Sequence, residues 1–170
     1  MTTTVSEKTE QAEAQGFDLC SAIVTGPTGA IGIALVSLLS AEGLEVYAVV
    51  NPDSPRKDRI PKAPNIHVVE CALSEMAYLP EKPGIGKADA FFHLAWAGAA
   101  GPGRNDIVLQ NNNLRSALEA VEAAETLGAR VFIGAGSQAE YGRVSEPLRP
   151  DMPLRPERLF SFVRRKCGHH

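Results

Sequence analysis

Five short apolar runs, separated by longer stretches of mixed polarity, constrain the fold of this 170-residue chain more than any other feature. The runs are SAIVTG, EVYAVV, NIHVVECA, DAFFHLAW and RVFIGAG, rich in the β-branched and aromatic residues that favour strands. Because apolar residues follow one another without regular polar alternation, both faces of each strand are expected to be buried. The sequence therefore predicts an α/β fold with a doubly wound parallel sheet.

Two stretches between these runs have helical patterns. GIALVSLLSAEG follows the first run, and LRSALEAVEAAETLG precedes the last one. The second stretch carries Leu114, Leu118, Val121 and Leu127 near helical spacing and ends at Gly128, a residue typical of helix C-termini. After the second strand, NPDSPRKDRIPKAP is rich in proline and charge, so we expect a surface connection with little room for a helix.

The chain divides into a tail and one domain. Residues 1–17 are polar and almost without large apolar side chains, which predicts a disordered N-terminal tail. Residues 18–170 are enough for one domain with a sizeable core.

Composition argues against several partners and sites. A net charge of −3 offers no basic surface for nucleic acid or an anionic membrane. The apolar runs are shorter than the roughly 20 residues of a membrane span, and no secretory leader pattern opens the chain, so we expect a cytoplasmic protein. Cys20, Cys71 and Cys167 lack paired spacing, which favours reduced thiols. The terminal CGHH is read as a chain end, and we expect no metal site.

A glycine-rich turn follows the first strand. Gly26, Gly29 and Gly32 stand three residues apart and open directly into an apolar helix. One glycine allows the tight turn, the next allows the backbone to approach a pyrophosphate, and the third allows close packing of helix and strand. The sequence thus predicts a dinucleotide site at the carboxyl ends of a sheet ordered 3-2-1-4-5. Thr28, Ala30 and Ile31 belong to the same predicted turn.

The end of the second strand leaves the choice of dinucleotide open. An acid at this place bonds the ribose hydroxyls of NAD, whereas an arginine accommodates the 2′-phosphate of NADP. The strand ends in Asn51, with Asp53 two residues on and Arg56 beyond. We take all three as candidate contacts, and either NAD or NADP as the cofactor. An ordinary turn residue and a solvated basic loop explain the same residues.

Taken together, these motifs resemble the extended short-chain dehydrogenase/reductase family of NAD-dependent epimerases, dehydratases and reductases. The matching segments are TGPTGAIG, FFHLAW, LQNNNLRSALEAVEAAETLGARVFIGAGSQAEYG and PLRPERLFSFVRRK. The resemblance implies a Rossmann-like domain and substrates such as nucleotide sugars.

The resemblance also implies roles for several residues. Ser137, four residues before Tyr141, corresponds to the hydroxyl that bonds the reacting carbonyl or alcohol. His93, Leu94 and Ala95 would line the cofactor's ribose and phosphates. Asn112 corresponds to the family's asparagine that buttresses the central strands, which is a structural role.

The family's catalytic tyrosine and lysine have no clear counterparts. One alignment places Phe160 at the tyrosine and Arg164 at the lysine, and a shift by two residues gives Phe162 and Lys166. A phenylalanine has no ionisable proton, so neither alignment supplies the general acid and base. Ala72 stands where the family often has an aspartate near the adenine.

The family's chain continues into a substrate lobe, whereas this sequence ends within the catalytic helix, so we expect that lobe to be absent. The interpretation is an NAD(P)-binding domain of an epimerase, dehydratase or reductase, with an inactive dinucleotide-binding or partner-binding remnant as the alternative. We expect weak dinucleotide binding and no hydride-transfer turnover. The uncovered last strand also predicts a homo-oligomer or a completing partner chain.

Overall fold

The structure, a computed structural model, describes residues 18–155 and contains one parallel sheet. Its strands are β1 (Ser21–Thr25), β2 (Glu45–Val50), β3 (Ile66–Glu70), β4 (Ala90–His93) and β5 (Val131–Gly134). They lie in the order β3-β2-β1-β4-β5, and every pairing is parallel. The predicted fold class and strand order are confirmed.

Central strand β1 shows why continuous apolar runs predict a sheet covered on both sides. Ile23 packs in a core with Phe91 of β4 on one face, while its neighbour Val24 packs with Val46 of β2 on the other. Ile23, Val24, Val46 and Phe91 are fully buried. Since successive strand side chains point to opposite faces, a strand buried on both sides needs an apolar residue at each position.

One helix covers each face. Helix α1 (Ala30–Ala41) buries Gly32 and Val36 on the Val24 side. Helix α2 (Ile107–Thr126) covers the Ile23 side and ends before Gly128, which has the positive φ of +85° expected of a C-terminal glycine.

The buried face of α2 is built from small residues, which the leucine pattern of the sequence did not indicate. Its core contacts include Ala117, Ala120, Ala123 and Ala124. Leu118 and Val121 instead point outward, with 51% and 47% of their surface exposed. Alanines let the helix approach the sheet and the neighbouring 3-10 segment closely, so the larger side chains occupy the outer face.

The remaining connections contain short 3-10 turns. The proline-rich connection after β2 holds only the turn Lys57–Arg59, in agreement with the expected lack of room for a helix. A longer kinked segment, Leu73–Glu81, packs against α2 and buries Met76 and Leu79. Within residues 18–155, no helix is long and apolar enough to cross a membrane.

Candidate functional site

A cleft of about 340 Å³ opens at the carboxyl ends of β1 to β4. In doubly wound sheets this is where ligands bind, because the loops on either side of the sheet diverge there. Its lining residues are Thr25, Gly26, Pro27, Thr28, Val49, Val50, Asn51, Asp53, Ser54, Pro55, Arg56, Cys71, Leu73, Met76, Ala95, Trp96 and Ala97. Four successive loops thus supply one site.

The glycine turn forms the first wall, and its three glycines have different surroundings. Gly26 has a φ of +72°, and a β-carbon there would lie 2.9 Å from the Ala95 nitrogen. A β-carbon on Gly32 would lie 2.2 Å from the Gly26 carbonyl oxygen. A β-carbon on Gly29 would lie 3.6 Å from the Gly26 carbonyl oxygen, an ordinary van der Waals contact, so the fold itself leaves room for a side chain there. This geometry fits a pyrophosphate at Gly29, with the other two glycines shaping the turn.

The amino end of α1 adds to this fit. Gly29 is the N-cap in an extended conformation, and no side chain caps the helix. The first backbone N–H groups of a helix have no partner within the helix and attract anions. Thr28 is buried beside this end, while Ala30 and Ile31 are exposed. The predicted turn residues therefore lie together, with a positive electrostatic potential at the helix start.

The loop after β2 forms the second wall as a chain of short turns. Asn51 Oδ1 accepts a bond from the Asp53 N–H at 2.9 Å, and Ser54 Oγ accepts one from the Arg56 N–H at 3.3 Å. Both Asp53 and Arg56 are exposed and line the cleft. The structure brings the acid and the base to the same end of the cleft, so the choice between the two dinucleotides stays open.

An apolar patch after β3 forms the third wall; the resemblance pointed to this loop through Ala72, but not to the residues that line the cleft. Cys71, Leu73 and Met76 line it. The Cys71 sulfur lies 3.5 Å from the carbonyl oxygens of Ala72 and Glu75 and can donate its one hydrogen to either, and burial raises the pKa of this thiol. In the sequence, these residues could be recognised as site residues from their position directly after a parallel strand. Such a surface suits a flat ring better than a charged group.

The fourth wall follows β4 and is tied to β1 through Thr25. The Thr25 hydroxyl oxygen accepts bonds from the N–H groups of Leu94 and Ala95, at 3.2 Å each. Its own hydrogen can then bridge to His93 Nδ1, which lies 3.1 Å away. Ala95 lines the cleft, whereas Leu94 packs on the core beneath α1.

The buttressing role expected of Asn112 falls on the next residue. Asn112 is exposed, while Asn113 is 3% exposed and bonds both backbone groups of Ala97. Its Oδ1 accepts from the Ala97 N–H at 3.0 Å, and its Nδ2 donates to the Ala97 carbonyl at 2.8 Å. Three consecutive asparagines hid the register, because only the helix phase shows which one faces inward.

Ser137 follows β5 at the same edge of the sheet but does not line the cleft. Its hydroxyl accepts a bond from the Ala139 N–H at 3.2 Å, and the Glu140 carboxylate accepts one from the Ser137 N–H at 2.7 Å. The serine thus begins a 3-10 turn, Gln138–Tyr141. Phe160 and Arg164, with their alternatives Phe162 and Lys166, lie outside the described residues.

Comparison with known proteins identifies a family whose sequence model matches this chain. The sequence model described as the NAD dependent epimerase/dehydratase family matches residues 22–165, which is most of the chain. No curated protein matches the sequence at a significant level.

Solved structures of similar fold include several nucleotide-sugar enzymes. A UDP-galactose 4-epimerase structure is 25% identical, with a TM-score of 0.74, and the match covers 86% of this chain and 48% of that one. The Thermus thermophilus UDP-glucose 4-epimerase in complex with NAD is 23% identical, with a TM-score of 0.74 and coverages of 86% and 48%. The Bordetella bronchiseptica enzyme WbmG, solved with NAD and UDP, is 17% identical, with a TM-score of 0.69 and coverages of 88% and 47%.

The chain spans about half the length of these solved structures. The matches cover 86% to 88% of this chain, whose described part is the parallel sheet with its two helices. The family match extends over the same elements, from within β1 to residue 165. The chain therefore belongs to the NAD dependent epimerase/dehydratase family and carries its dinucleotide-binding domain.

Proposed function

We propose that the cleft at the carboxyl ends of β1 to β4 holds NAD or NADP. The observation that carries this proposal is the start of α1 at Gly29, which no side chain caps and which directly follows the turn whose Gly26, Pro27 and Thr28 line the cleft. Gly26, Thr28, Gly29, Ala30, Ile31 and Gly32 would surround the pyrophosphate. Asn51, Asp53 and Arg56 would face the adenosine ribose, and Ala95 would face the other half of the cofactor.

The reaction class we propose is that of an epimerase, dehydratase or reductase acting on nucleotide sugars or related alcohols and carbonyls. Support comes from the family match and from similar folds solved as UDP-sugar epimerases. A bound nicotinamide supplies reversible hydride transfer. In this chain, the hydroxyl of Ser137 is the proposed hydrogen-bond donor to the substrate oxygen.

A second candidate function is dinucleotide or partner binding without turnover. The observation that favours it is Phe160, or Phe162 in the shifted alignment, at the place of the family's tyrosine. A phenyl ring cannot give or take a proton, and Arg164 remains charged at every relevant pH. Purified protein that binds NADH but shows no epimerase, dehydratase or reductase activity on UDP-sugars would favour this candidate.

Fluorescence titration with NADH and NADPH tests the binding proposal directly. Gly29→Val should abolish binding and leave the fold intact, because the added methyls fill the space where the pyrophosphate would lie. Ala34→Val, an exposed position on the same helix, is the matched control and should bind like the unmodified chain. Equal binding by Gly29→Val and the unmodified chain would refute the proposed site.

We also propose that a second copy or a completing partner chain covers the β5 side of the molecule. In the described part of the chain β5 pairs only with β4, and Ile133 is 43% exposed on it.

A cytoplasmic location is proposed as well, because Cys20 and Cys71 are free thiols, as expected in a reducing compartment.

A further inference from the structure

Two amide side chains interrupt the alanine face that α2 turns toward the interior. Gln110 is fully buried and Asn113 is 3% exposed. A buried amide without hydrogen bonds would destabilise the fold, so such residues persist where their bonds fix a particular structure. Besides a bond to each other, they bond residues of the loop between β4 and α2, which supplies the fourth wall of the cleft.

Gln110 uses both ends of its amide. Its Oε1 accepts a bond from Trp96 Nε1 at 2.9 Å, and its Nε2 donates to the Gly103 carbonyl at 2.7 Å. Asn113 Nδ2 also donates to Gln110 Oε1, at 3.3 Å. One side chain therefore connects the start of the loop, at Trp96, with its end, at Gly103.

Trp96 is the member of this network that reaches the cleft. It lines the cleft between Ala95, whose N–H is held by Thr25, and Ala97, whose backbone is held by Asn113. The backbone on both sides of Trp96 is thus fixed, but its indole ring keeps its own side-chain torsions. The bond to Gln110 orients the ring.

We propose that Gln110 is a positioning residue that holds the Trp96 indole as the wall of the dinucleotide cleft. The inference rests on the proposed function of that cleft. It requires a carboxamide at position 110, since a donor must face Gly103 while an acceptor faces Trp96. Glutamate would place a second acceptor against the Gly103 carbonyl, and methionine would satisfy neither partner.

The first test needs no ligand. Trp96 is the single tryptophan of the chain, so its fluorescence reports this ring alone. Gln110→Met should shift the emission of Trp96 to longer wavelength and increase its quenching by acrylamide about twofold or more, because the ring loses its buried partner. Asn112→Met, at an exposed position of the same helix, is the matched control and should leave both unchanged. Unchanged quenching in Gln110→Met would overturn the proposal.

The second test measures NADH affinity from the emission of NADH itself. Gln110→Met should weaken binding about threefold to tenfold, a typical effect of one lost hydrogen bond. If Gln110 acts through Trp96, Gln110→Met adds little to the loss already caused by Trp96→Phe, so the two effects are not additive. Additive losses would overturn the proposal, as would an unchanged affinity in Gln110→Met.

The two tests separate this inference from the proposed function. If NADH and NADPH fail to bind the unmodified chain, the proposed function fails, whereas the ligand-free quenching still decides whether Gln110 holds the ring. Should Gln110→Met fail to fold, Gln110→Glu and Trp96→Phe replace it: Gln110→Glu is expected to raise quenching and Trp96→Phe to lower NADH affinity. Quenching in Gln110→Glu equal to that of the unmodified chain would then overturn the inference, as would an unchanged NADH affinity in Trp96→Phe.

Discussion

At the scale of single residues, the glycine turn shows one residue type under three constraints. Gly26 needs its positive φ, Gly32 needs the absence of a β-carbon against the turn backbone, and Gly29, where a β-carbon would make only an ordinary contact, is the residue at which we propose the pyrophosphate. The first two constraints concern the folded chain itself, while the third concerns a ligand. Substitution at each glycine should therefore produce a different kind of defect.

Gly32→Ala should destabilise the protein by about 3 kcal/mol or more, because its β-carbon would lie 2.2 Å from a carbonyl oxygen of the backbone. Urea unfolding followed by circular dichroism measures the loss. Gly134→Ala serves as control, since its β-carbon would meet nothing closer than 3.8 Å. If Gly32→Ala unfolds at the same urea concentration as the unmodified chain, the close packing described for α1 and the turn is wrong.

Cys71 offers a chemical probe of the apolar wall. Burial raises the pKa of its thiol, with Lys82 opposing this effect and Glu75 adding to it, so the thiolate is scarce at neutral pH. In a Cys167→Ser background, Ellman's reagent should modify exposed Cys20 quickly and Cys71 slowly, with a rate for Cys71 that rises at alkaline pH. Saturating NADH should slow the modification of Cys71 further and leave the modification rate of Cys20 unchanged. Equal protection of both thiols, or of neither, would contradict a cofactor beside Cys71.

At the scale of secondary-structure elements, Asp89 joins three strands at their amino ends, opposite the cleft. Its Oδ2 accepts bonds from the N–H groups of Cys20 and Ser21, at 2.9 and 3.1 Å, before β1 and at its start. Its Oδ1 lies 3.1 Å from the Arg130 guanidinium, next to β5, and Asp89 itself precedes β4. The bond from the Cys20 N–H is the main reason that the pKa of this carboxyl is lowered.

This lowered pKa has a definite consequence for stability. A carboxyl whose folded pKa lies below its unfolded value stabilises the fold above the unfolded pKa, about 4, and loses that contribution as the pH falls through the folded pKa. Asp89→Asn should therefore lower the urea midpoint at pH 7, and the difference from the unmodified chain should shrink toward pH 3. Asp58→Asn, at an exposed position, is the control. A difference that stays constant from pH 7 to pH 3 would exclude the carboxylate as its cause.

The elements also show what could be predicted from sequence. Strand positions followed from runs such as SAIVTG, because burial on both faces leaves a direct trace in the sequence, and the strand order followed from the glycine turn. The inward face of α2 could not be predicted, since the face with the larger side chains, Leu118 and Val121, is the exposed one. The choice of Asn113 over Asn112 failed for the same reason: helix phase depends on what the helix packs against. Cys71 and Trp96 became site residues only when separate loops were brought together.

At the scale of the whole molecule, two regions of the described structure are left uncovered on the side of β5 and α2. Within residues 18–155, strand β5 pairs with β4 alone, and an unpaired strand edge is a surface on which another chain can add a strand. The outer face of α2 exposes Leu118 and Val121. Apolar surface of this kind on a folded domain is typical of an interaction site.

We expect the purified chain to self-associate through this side, and the position of the contact can be mapped. Light scattering at increasing concentration should show a mass above the monomer's 18.1 kDa. Leu118→Glu together with Val121→Lys should restore the monomer if the α2 face forms the contact, and Ile133→Lys should do so if the β5 edge forms it, because a charge on either surface opposes its burial. Leu38→Glu, a similar change at an exposed leucine of α1, should leave association unchanged. A monomer at high concentration for the unmodified chain would contradict self-association and leave a different chain as the partner to be sought for this side.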